Sequence, residues 1–301
     1  MQERFEIMFI DCHVHAIETP TCPYPADGKQ LISTPEDLLP IYDRVGIEKG
    51  VILPIGSPDS THFVQSNEEM LRIVAKYPDR FIPFCNIDPR SLQNSENAPL
   101  EYILKYYKDL GCKGVGEVTA NLDMDDPRVQ NLFQAADNCE IALTFHLSPQ
   151  SGHTYGLIED MGLKKLEKAL QKFHKVKFFG HSQAFWAEIA ANPTVEQRKG
   201  YPKGKIEEEG AIAKLMRKYP NLYGDVSAGS GFYALERDEE YAIKFLNEFQ
   251  DRLMFGTDIC QPHRAVTPLA TFLLKLRDEK KISEEVFNKV ARENIIKILD
   301  L

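Results

Sequence analysis

Two histidines near the amino terminus are well suited to bind a metal ion. His13 and His15 lie in the motif Asp11-Cys12-His13-Val14-His15, directly after a short apolar run. Side chains of a β-strand alternate between its two faces, so the histidines and Asp11 would point one way and the residues between them the other way. Neutral imidazoles on one face can bind a single zinc ion or a related transition metal. The alternative is that a strand merely ends here in polar residues.

Further apolar runs along the chain have the composition of strands that are buried on both faces. Many of them end in Gly, Pro or a polar residue, and segments of helical periodicity lie between them. The amphipathic segments that we predict as helices include 69–76, 100–107, 163–173, 211–217 and 282–299. The predicted strands are 7–15, 50–54, 81–86, 114–117, 142–146, 176–181, 222–225 and 253–258.

Eight alternating units of strand and helix predict an α/β protein, specifically a single (β/α)8 TIM barrel. No Gly/Ser-rich linker or break in composition divides the chain, so we expect one domain over residues 1–301. Elongated loops follow strand 1, over 16–34, and strand 6, over 183–210. Such loops lie at the catalytic face of this fold, so both are expected to shape or cover a pocket.

Residues of the types that bind metals stand at the ends of several predicted strands. They are His13 and His15 after strand 1, Glu117 after strand 4, His146 after strand 5, His181 after strand 6 and Asp258 after strand 8. In a barrel all these strand ends meet at one rim. Each residue alone has a simpler explanation, such as a turn cap or a buried histidine satisfied by a backbone carbonyl. Their occurrence together predicts a metal site.

Several motifs around these residues resemble those of the amidohydrolase superfamily. The pattern is H-x-H after strand 1, His after strands 5 and 6, and Asp after strand 8. The motifs look most like the amidohydrolase 2 branch, which includes aminocarboxymuconate-semialdehyde decarboxylase-like enzymes, hydratases and lactonases. They extend from residue 10 to residue 258, and they indicate the superfamily but not the substrate. The motifs are 10–15, 86–90, 116–118, 179–181 and 255–258.

By this resemblance, four residues would bind a divalent metal ion, most often zinc: His13, His15, His146 and Asp258. His181 would act as an acid or base on the metal-bound water or the substrate. Glu117 stands where other branches have a bridging carboxylate or modified lysine, so a second ion bound by His146 and His181 is an open alternative. Bound zinc can lower the pKa of water to about 7, and Asp258 would accept the proton as a catalytic base.

Five further residues in predicted loops are candidates for substrate binding: Arg90, His153, Tyr155, Trp186 and Arg264. Arg90 and Arg264 could bind a carboxylate, because the guanidinium fork matches that group. A surface salt bridge is the alternative for Arg90. Trp186 could line an apolar pocket or simply pack at the rim, and His153 with Tyr155 lies in the loop after strand 5.

Composition and charge exclude several classes of protein. The formal net charge is −9 and no long basic cluster occurs, which argues against nucleic acid as a ligand. No apolar run approaches the roughly 20 residues that a membrane span requires. The acidic amino terminus does not resemble a signal peptide. The cysteines form no C-x-x-C pair, and Cys12, Cys85 and Cys112 lie in apolar runs, which favours reduced thiols in a cytoplasmic protein.

The sequence therefore favours a metal-dependent hydrolase that acts on a small carboxylated amide, ester or lactone through a metal-activated water. The alternative is a nonoxidative decarboxylase, a carboxy-lyase of an unsaturated or aromatic acid, because both reactions use nearly the same metal ligands. A TatD-like nuclease shares the order of the motifs, but the acidic charge and the lack of an Arg two residues after His146 disfavour it. The expected partner is a small carboxylate, and homodimers are common among such barrels.

Overall fold

Eight parallel strands follow one another around the fold in the computed structural model, which describes residues 8–23 and 28–301 except for the side chain of Arg264. Each strand pairs in parallel with the next one along the chain. A short strand, Leu157–Ile158, pairs with the end of the strand Ala142–Ser148 outside this order and was not expected. The strands are β1 Phe9–Val14, β2 Ile47–Ile52, β3 Phe81–Cys85, β4 Gly114–Val118, β5 Ala142–Ser148, β6 Lys177–His181, β7 Leu222–Asp225 and β8 Leu253–Met254.

Backbone hydrogen bonds between β1 and the residues after β8 nearly close the barrel. Cys12 N donates to Phe255 O at 2.9 Å, and Asp258 N donates to His13 O at 2.7 Å. A further parallel bridge joins Val14 to Ile259. The TIM barrel predicted from the sequence is thus confirmed. Regular pairing in β8 ends earlier than predicted, because the chain beyond it runs along β1 instead of along β7.

Helices follow the strands and cover the outside of the barrel. Local capping explains several of their ends: Thr34 and Asp37 form a capping box at the helix Pro35–Val45, and the Ser283 side chain accepts from Val286 N at the start of the helix Glu284–Asn288. The predicted helix 282–299 consists of two helices, Glu284–Asn288 and Asn294–Leu299, joined by a π-helical turn, Lys289–Glu293. The helices are α1 Pro35–Val45, α2 Asn67–Lys76, α3 Ser91–Asn94, α4 Leu100–Asp109, α5 Pro127–Cys139, α6 Lys164–Lys172, α7 Gln183–Trp186, α8 Val195–Arg198, α9 Ala211–Lys218, α10 Ala228–Glu236, α11 Glu239–Glu248, α12 Pro268–Asp278, α13 Glu284–Asn288 and α14 Asn294–Leu299.

Apolar side chains fill the inside of the barrel and one of its ends. The inner cluster includes Ile10, Val51, Phe84 and Phe179 from different strands, and residues of α14 pack against it. Lys113 and Lys177, near the starts of β4 and β6, donate to backbone carbonyls of the segment 298–300. The last helix therefore covers the amino-terminal end of the strands and leaves the opposite end for polar residues. In the described part of the chain, no helix is long and apolar enough to cross a bilayer.

The alternation of side chains predicted for β1 is wrong at Asp11. Asp11 Oδ2 accepts from the hydroxyl of Tyr42 on α1, outside the barrel, whereas Cys12 lies in the inner cluster. Cys12 and His13 nevertheless both contact Asp225. The physical reason is a break in the register between β1 and β2 after Asp11, which lets two consecutive residues point inward.

The long loop predicted at 183–210 contains α7, the 3-10 turn Ala187–Ile189 and α8. Part of the loop predicted at 16–34 and the acidic amino terminus lie outside the described residues. All the cysteines are free, and Cys12, Cys85 and Cys112 are buried, as predicted from the apolar runs that contain them.

Candidate metal centre

The structure brings the predicted ligand residues together at the carboxyl ends of the barrel strands. His13 lies in β1, His15 follows it directly, and Asp258 follows β8. Glu117, His146 and His181 come from the ends of β4, β5 and β6. The four histidines and Glu117 are buried, whereas the side chain of Asp258 is 20% exposed.

His13 and His15 direct their Nε2 atoms at each other across 3.2 Å. Each ring uses its other nitrogen elsewhere: Nδ1 of His13 lies 2.6 Å from Asp225 Oδ2, and Nδ1 of His15 lies 2.8 Å from Leu53 O. If Nδ1 donates in both rings, both Nε2 atoms present lone pairs to one point. Asp258 Oδ1 lies 3.6 and 3.5 Å from these two nitrogens. Such a group of electron-pair donors is suited to a cation.

The spacing of these donors fits tetrahedral coordination. Ligand atoms about 2.1 Å from a tetrahedral zinc ion lie about 3.4 Å from one another. Glu117 Oε2, at 3.8 Å from His13 Nε2 and 3.7 Å from His15 Nε2, adds another oxygen. The residues therefore fit a divalent ion bound by imidazoles and carboxylates, a ligand set that suits zinc and neighbouring transition metals.

Glu117, His146 and His181 form a second group of donors within 4.8 Å of one another. His146 Nδ1 lies 2.7 Å from Glu117 Oε1, and His181 Nε2 lies 3.9 Å from the same oxygen. The resemblance implied that His146 binds the same ion as His13, whereas the structure brings His146 to Glu117. Because Glu117 faces both groups, each through one oxygen, the described residues provide donors for one ion or for two.

Asp225, at the end of β7, is part of this site and was missed as a site residue from the sequence. Besides His13, its Oδ2 atom faces His181 Nδ1 at 3.5 Å, and that nitrogen also contacts Ser227 Oγ at 3.0 Å. Such a carboxylate behind a histidine ligand fixes the ring and its tautomer. The available indication was its position, because Asp225 ends a predicted strand as Asp258 does.

Charges inside the site shift the pKa of its members. Burial opposes the charged form of His13, but the carboxylates of Asp225 and Asp258 outweigh it and raise the pKa of His13 to about 10. The charge of Asp225 likewise raises the pKa of His181 against the effect of burial. The histidines in turn hold the pKa of the Asp225 and Asp258 carboxyls well below the usual range, although burial opposes this. A bound cation competes with these protons for the same nitrogens.

Two local features position the ligand residues. Asp11 accepts from Thr257 N at 2.8 Å and from His13 N at 2.9 Å, which ties the end of β1 to the segment that carries Asp258. Gly116 precedes Glu117 with a φ of +132°, and a Cβ there would meet the carbonyl oxygen of Thr144 at 2.4 Å. Glycine thus allows β4 to approach β5 where Glu117 turns toward His146.

A cavity of about 130 Å³ opens onto the metal centre. Four of its lining residues belong to the donor groups: His15, Glu117, His146 and Asp258. Apolar and hydroxyl side chains form the rest of the lining with Cys260: Leu31, Ile32, Pro54, Ile55, Ser60, Thr61, Thr119 and Tyr155. No lysine or arginine lines it among the described side chains. The cavity therefore fits a small, mostly apolar ligand with a few polar groups.

Arg90 does not line this cavity, and its guanidinium is already engaged. Its Nη2 atom lies 2.7 Å from Asp88 Oδ2 and 2.9 Å from Asp59 Oδ2, and the same nitrogen donates to Ser57 Oγ at 3.1 Å. Two carboxylates thus neutralise the charge that was expected to bind a substrate. The salt bridge considered as the alternative is what the structure contains.

Trp186 lies in the core. It lines neither the cavity at the metal centre nor the two cavities beside it, as far as the described residues show. Its ring packs against Phe185 and Phe245, and its Nε1 donates to Asp225 O at 2.8 Å. The expectation that Trp186 lines a substrate pocket therefore does not fit its position. It supports the strand end that carries Asp225 instead.

The remaining substrate candidates lie at the rim. Tyr155 lines the cavity, with its ring centroid 4.6 Å from that of His146. His153 is exposed and lines an adjacent cavity. The side chain of Arg264 lies outside the described residues, and its backbone belongs to the 3-10 turn Pro262–Arg264.

The donor groups lie at one end of a TIM barrel and are suited to a metal ion. The chain matches the model of the amidohydrolase family Amidohydro_2 over residues 10–301, so it belongs to that family. The members of this superfamily are metal-dependent enzymes that include decarboxylases and hydrolases. A comparison with curated proteins finds no match.

Solved structures share this fold at low sequence identity. An uncharacterised TIM-barrel protein from Bordetella bronchiseptica has a TM-score of 0.65 and 18% identity, over 97% of this chain and 98% of that chain. A 5-carboxyvanillate decarboxylase from Novosphingobium aromaticivorans, complexed with manganese and 4-hydroxy-3-methoxy-5-nitrobenzoic acid, has a TM-score of 0.62 and 15% identity, over 100% and 98%. A probable 2-pyrone-4,6-dicarboxylic acid hydrolase from Acinetobacter baumannii, with citric acid bound, has a TM-score of 0.58 and 14% identity, over 98% and 100%.

Proposed function

We propose that this chain is a metal-dependent hydrolase of a small carboxylated amide, ester or lactone. The observation that carries the proposal is the position of Asp258. Its carboxylate faces His13 and His15 and also lines the ligand cavity. It is more exposed than Glu117 or Asp225, the other carboxylates of the centre. A base at the boundary between the metal ligands and the substrate space is what proton transfer from water requires.

Each residue of the centre has a role in this reaction. A divalent ion bound by His13, His15 and Asp258 would supply Lewis acidity toward water and a substrate carbonyl. Asp258 Oδ2 accepts the proton of the attacking water and returns it to the leaving group. His181 Nε2 lies 3.6 Å from that oxygen and stabilises its charge. Asp225 and Ser227 hold the His181 ring in place from the other side.

Nonoxidative decarboxylation of an unsaturated or aromatic acid is the second candidate. The apolar lining of the cavity favours it, because Leu31, Ile32 and Ile55 suit a flat ring. Asp258 and His181 would then deliver a proton to the ring carbon that loses CO₂. The 5-carboxyvanillate decarboxylase with the same fold is consistent with this candidate.

Product analysis separates the two reactions. Metal-replete protein is incubated with carboxylated amides, esters and lactones and with aromatic acids, and CO₂ release is measured beside ring opening or amide cleavage. The proposal expects hydrolysis without CO₂. Release of CO₂ would favour the second candidate, and no turnover of any substrate would contradict both.

The variant Asp258→Asn tests the assigned base. It keeps the size of the side chain and one oxygen, so the fold and much of the metal binding should remain. Turnover should fall by roughly 100-fold to 10,000-fold, the usual contribution of a positioned general base. Asp278→Asn, at an exposed site on α12, is the matched control and should leave turnover unchanged.

We further propose a small carboxylate as the partner and zinc as the resident metal. Nucleic acid is an unsuitable ligand, because the net charge is −9 and the described cavity lining lacks cationic side chains. A homodimer remains a proposal from the fold class, which size-exclusion chromatography with light scattering would test.

A further inference from the structure

A second cavity, of about 400 Å³, adjoins the metal centre. It lies between the loop after β5 and the segment that contains α7 and α8. His146 and Tyr155 line both this cavity and the cavity at the metal centre. The two spaces therefore share a wall, and a ligand at the metal centre has the second cavity beside it. Polar and cationic side chains are frequent in its lining: Gln150, His153, Gln183, Arg198 and Lys199.

Arg198 is the buried cation of this second cavity, with 2% of its surface exposed. Its Nε atom lies 3.2 Å from Glu188 Oε1. Nevertheless Nε and Nη2 are both buried and have no hydrogen-bond partner among the described residues. A guanidinium carries five N–H donors in a planar fork, so much of this capacity is unused. Buried donors without acceptors are unfavourable, which makes the position suited to an acceptor that arrives with a ligand.

Glu188 balances the charge of Arg198 but leaves N–H donors of its guanidinium without a hydrogen bond. Both oxygens of Glu188 accept from the backbone N–H of Gly162, at 3.1 and 3.2 Å. The next residue, Lys199, also lines the cavity, and its ion pair with Glu196 is partly exposed. The buried Glu159 and the exposed Asp160 also act on the charge of Arg198, but Glu188 is the acid that lies within ion-pair distance of it. The free donors of Arg198, together with the neighbouring Lys199 in the lining, favour an anionic ligand.

The contrast with Arg90 identifies which arginine is available. Arg90 is bound by Asp88, Asp59 and Ser57 and lies outside both cavities. Arg198 has unused donors, and it lies in the cavity that adjoins the metal centre.

We propose that Arg198 forms an anion-binding subsite for a carboxylate of the substrate, while the reacting group of the same molecule lies at the metal centre. Carboxylate is the matching chemistry, because its two oxygens accept parallel N–H bonds from a guanidinium. The subsite rests on the proposed function, and it would select dianionic substrates or carboxylates whose reacting group is neutral.

Equilibrium binding tests the subsite without turnover. Isothermal titration calorimetry compares isophthalate with its monoamide 3-carbamoylbenzoate, and terephthalate with 4-carbamoylbenzoate, on zinc-loaded protein. In each pair one carboxylate can reach the metal, and only the second group differs in charge. In at least one pair the dianion should bind about tenfold more tightly, because charge-assisted hydrogen bonds exceed neutral ones.

The double variant Arg198→Met with Glu188→Gln removes the cation and its buried counter-charge together, and the Gln oxygen still accepts from Gly162 N. The preference for the dianion should fall to within about twofold. Arg198→Lys keeps the charge but not the planar fork of donors. Its preference for the dianion should lie between those of the wild type and the double variant. Arg217→Met with Glu209→Gln, a partly exposed Arg–Glu pair that lines neither cavity, is the matched control and should keep the preference. Circular dichroism and zinc content verify that each variant is folded and loaded.

Two results would overturn the subsite. One is equal binding of acid and amide in both pairs by the wild-type protein. The other is a preference that survives in the folded double variant. The preference is the ratio of the two Kd values, and it is measured without catalysis. Absence of turnover would therefore contradict the proposed reaction, whereas the ratio of Kd values decides the subsite.

Discussion

The metal centre and the group around Arg198 both bury carboxylates, but the positive charge comes from different sources. At the metal centre, Glu117, Asp225 and Asp258 face histidines, whose protonation is the only cationic charge that the ligand residues supply. In the neighbouring group, Glu188 faces the guanidinium of Arg198, which is a covalent part of the protein. The first arrangement can exchange protons for an ion, and the second holds a permanent cation.

This difference explains why the two regions suit different tasks. An exchangeable metal ion with open coordination positions can bind water and substrate, which is the basis of metal catalysis. A fixed guanidinium can recognise an anion but cannot activate it in the same way. A substrate that contacts both would be oriented at one end and would react at the other.

Removal of a metal ligand should have the largest effect. His13→Ala deletes an Nε2 donor that faces His15 and Asp258. We expect loss of stoichiometric zinc and a fall in turnover of more than about 100-fold, the upper end for substitutions behind a ligand. Elemental analysis and initial rates check this. His174→Ala, at an exposed position, should change neither value, and a His13→Ala protein with full zinc would refute the ligand assignment.

The matching change in the second region should act on stability instead. Arg198→Met alone leaves Glu188 buried without its cation, which typically costs about 3–5 kcal/mol of unfolding free energy. Adding Glu188→Gln should restore much of that loss, because it removes the uncompensated charge. Urea unfolding of the single and double variants measures both. Equal stability of the wild type and the single variant would show that Glu188 does not need the charge of Arg198 to remain buried.

Asp225→Asn should weaken the metal centre without deleting a donor from the group around His15. Asp225 lies behind the His13 ring, 2.6 Å from Nδ1, so the substitution removes the charge that orients and polarises the ligand. Zinc affinity should fall by about 10-fold to 100-fold. Competition with a chelator gives the ratio directly, and an unchanged affinity would remove Asp225 from the site.

The pH dependence of metal binding should reveal the proton that the ion displaces. The pKa of His13 is raised to about 10, so at neutral pH both ring nitrogens carry a proton in the metal-free protein. The ion binds the deprotonated nitrogen, and binding therefore releases a proton and strengthens as the pH rises toward that pKa. The expected change is roughly tenfold in Kd per pH unit for one proton. Titrations in buffers of different ionisation enthalpy count the protons, and zero release would contradict the raised pKa.

Much of the barrel and most of the metal centre could be predicted from sequence, because the relevant information is local. Apolar runs mark the strands, and a ligand-type residue at the end of a run must lie at the common rim. The break in register after Asp11 could not be predicted, because it depends on pairing between β1 and β2. Asp225 was placed at a strand end, but its role depends on two histidines from other strands.

The substrate residues were harder to predict because their availability depends on distant partners. Arg90 is neutralised partly by Asp59, which is remote in sequence, and nothing near Arg90 indicates that contact. Trp186 follows a rim histidine closely, yet the short helix α7 directs it into the core. Arg198 lies in a segment that reads as a polar loop, and only the folded chain places it beside the metal centre.

The most direct test of the metal centre is a crystal structure of the zinc-loaded protein with anomalous diffraction recorded at the zinc absorption edge. We predict a peak about 2.0–2.2 Å from His13 Nε2, His15 Nε2 and an oxygen of Asp258. A second peak beside His146 and His181 would establish the two-ion arrangement. A zinc-loaded crystal without a peak among His13, His15 and Asp258 would contradict the account.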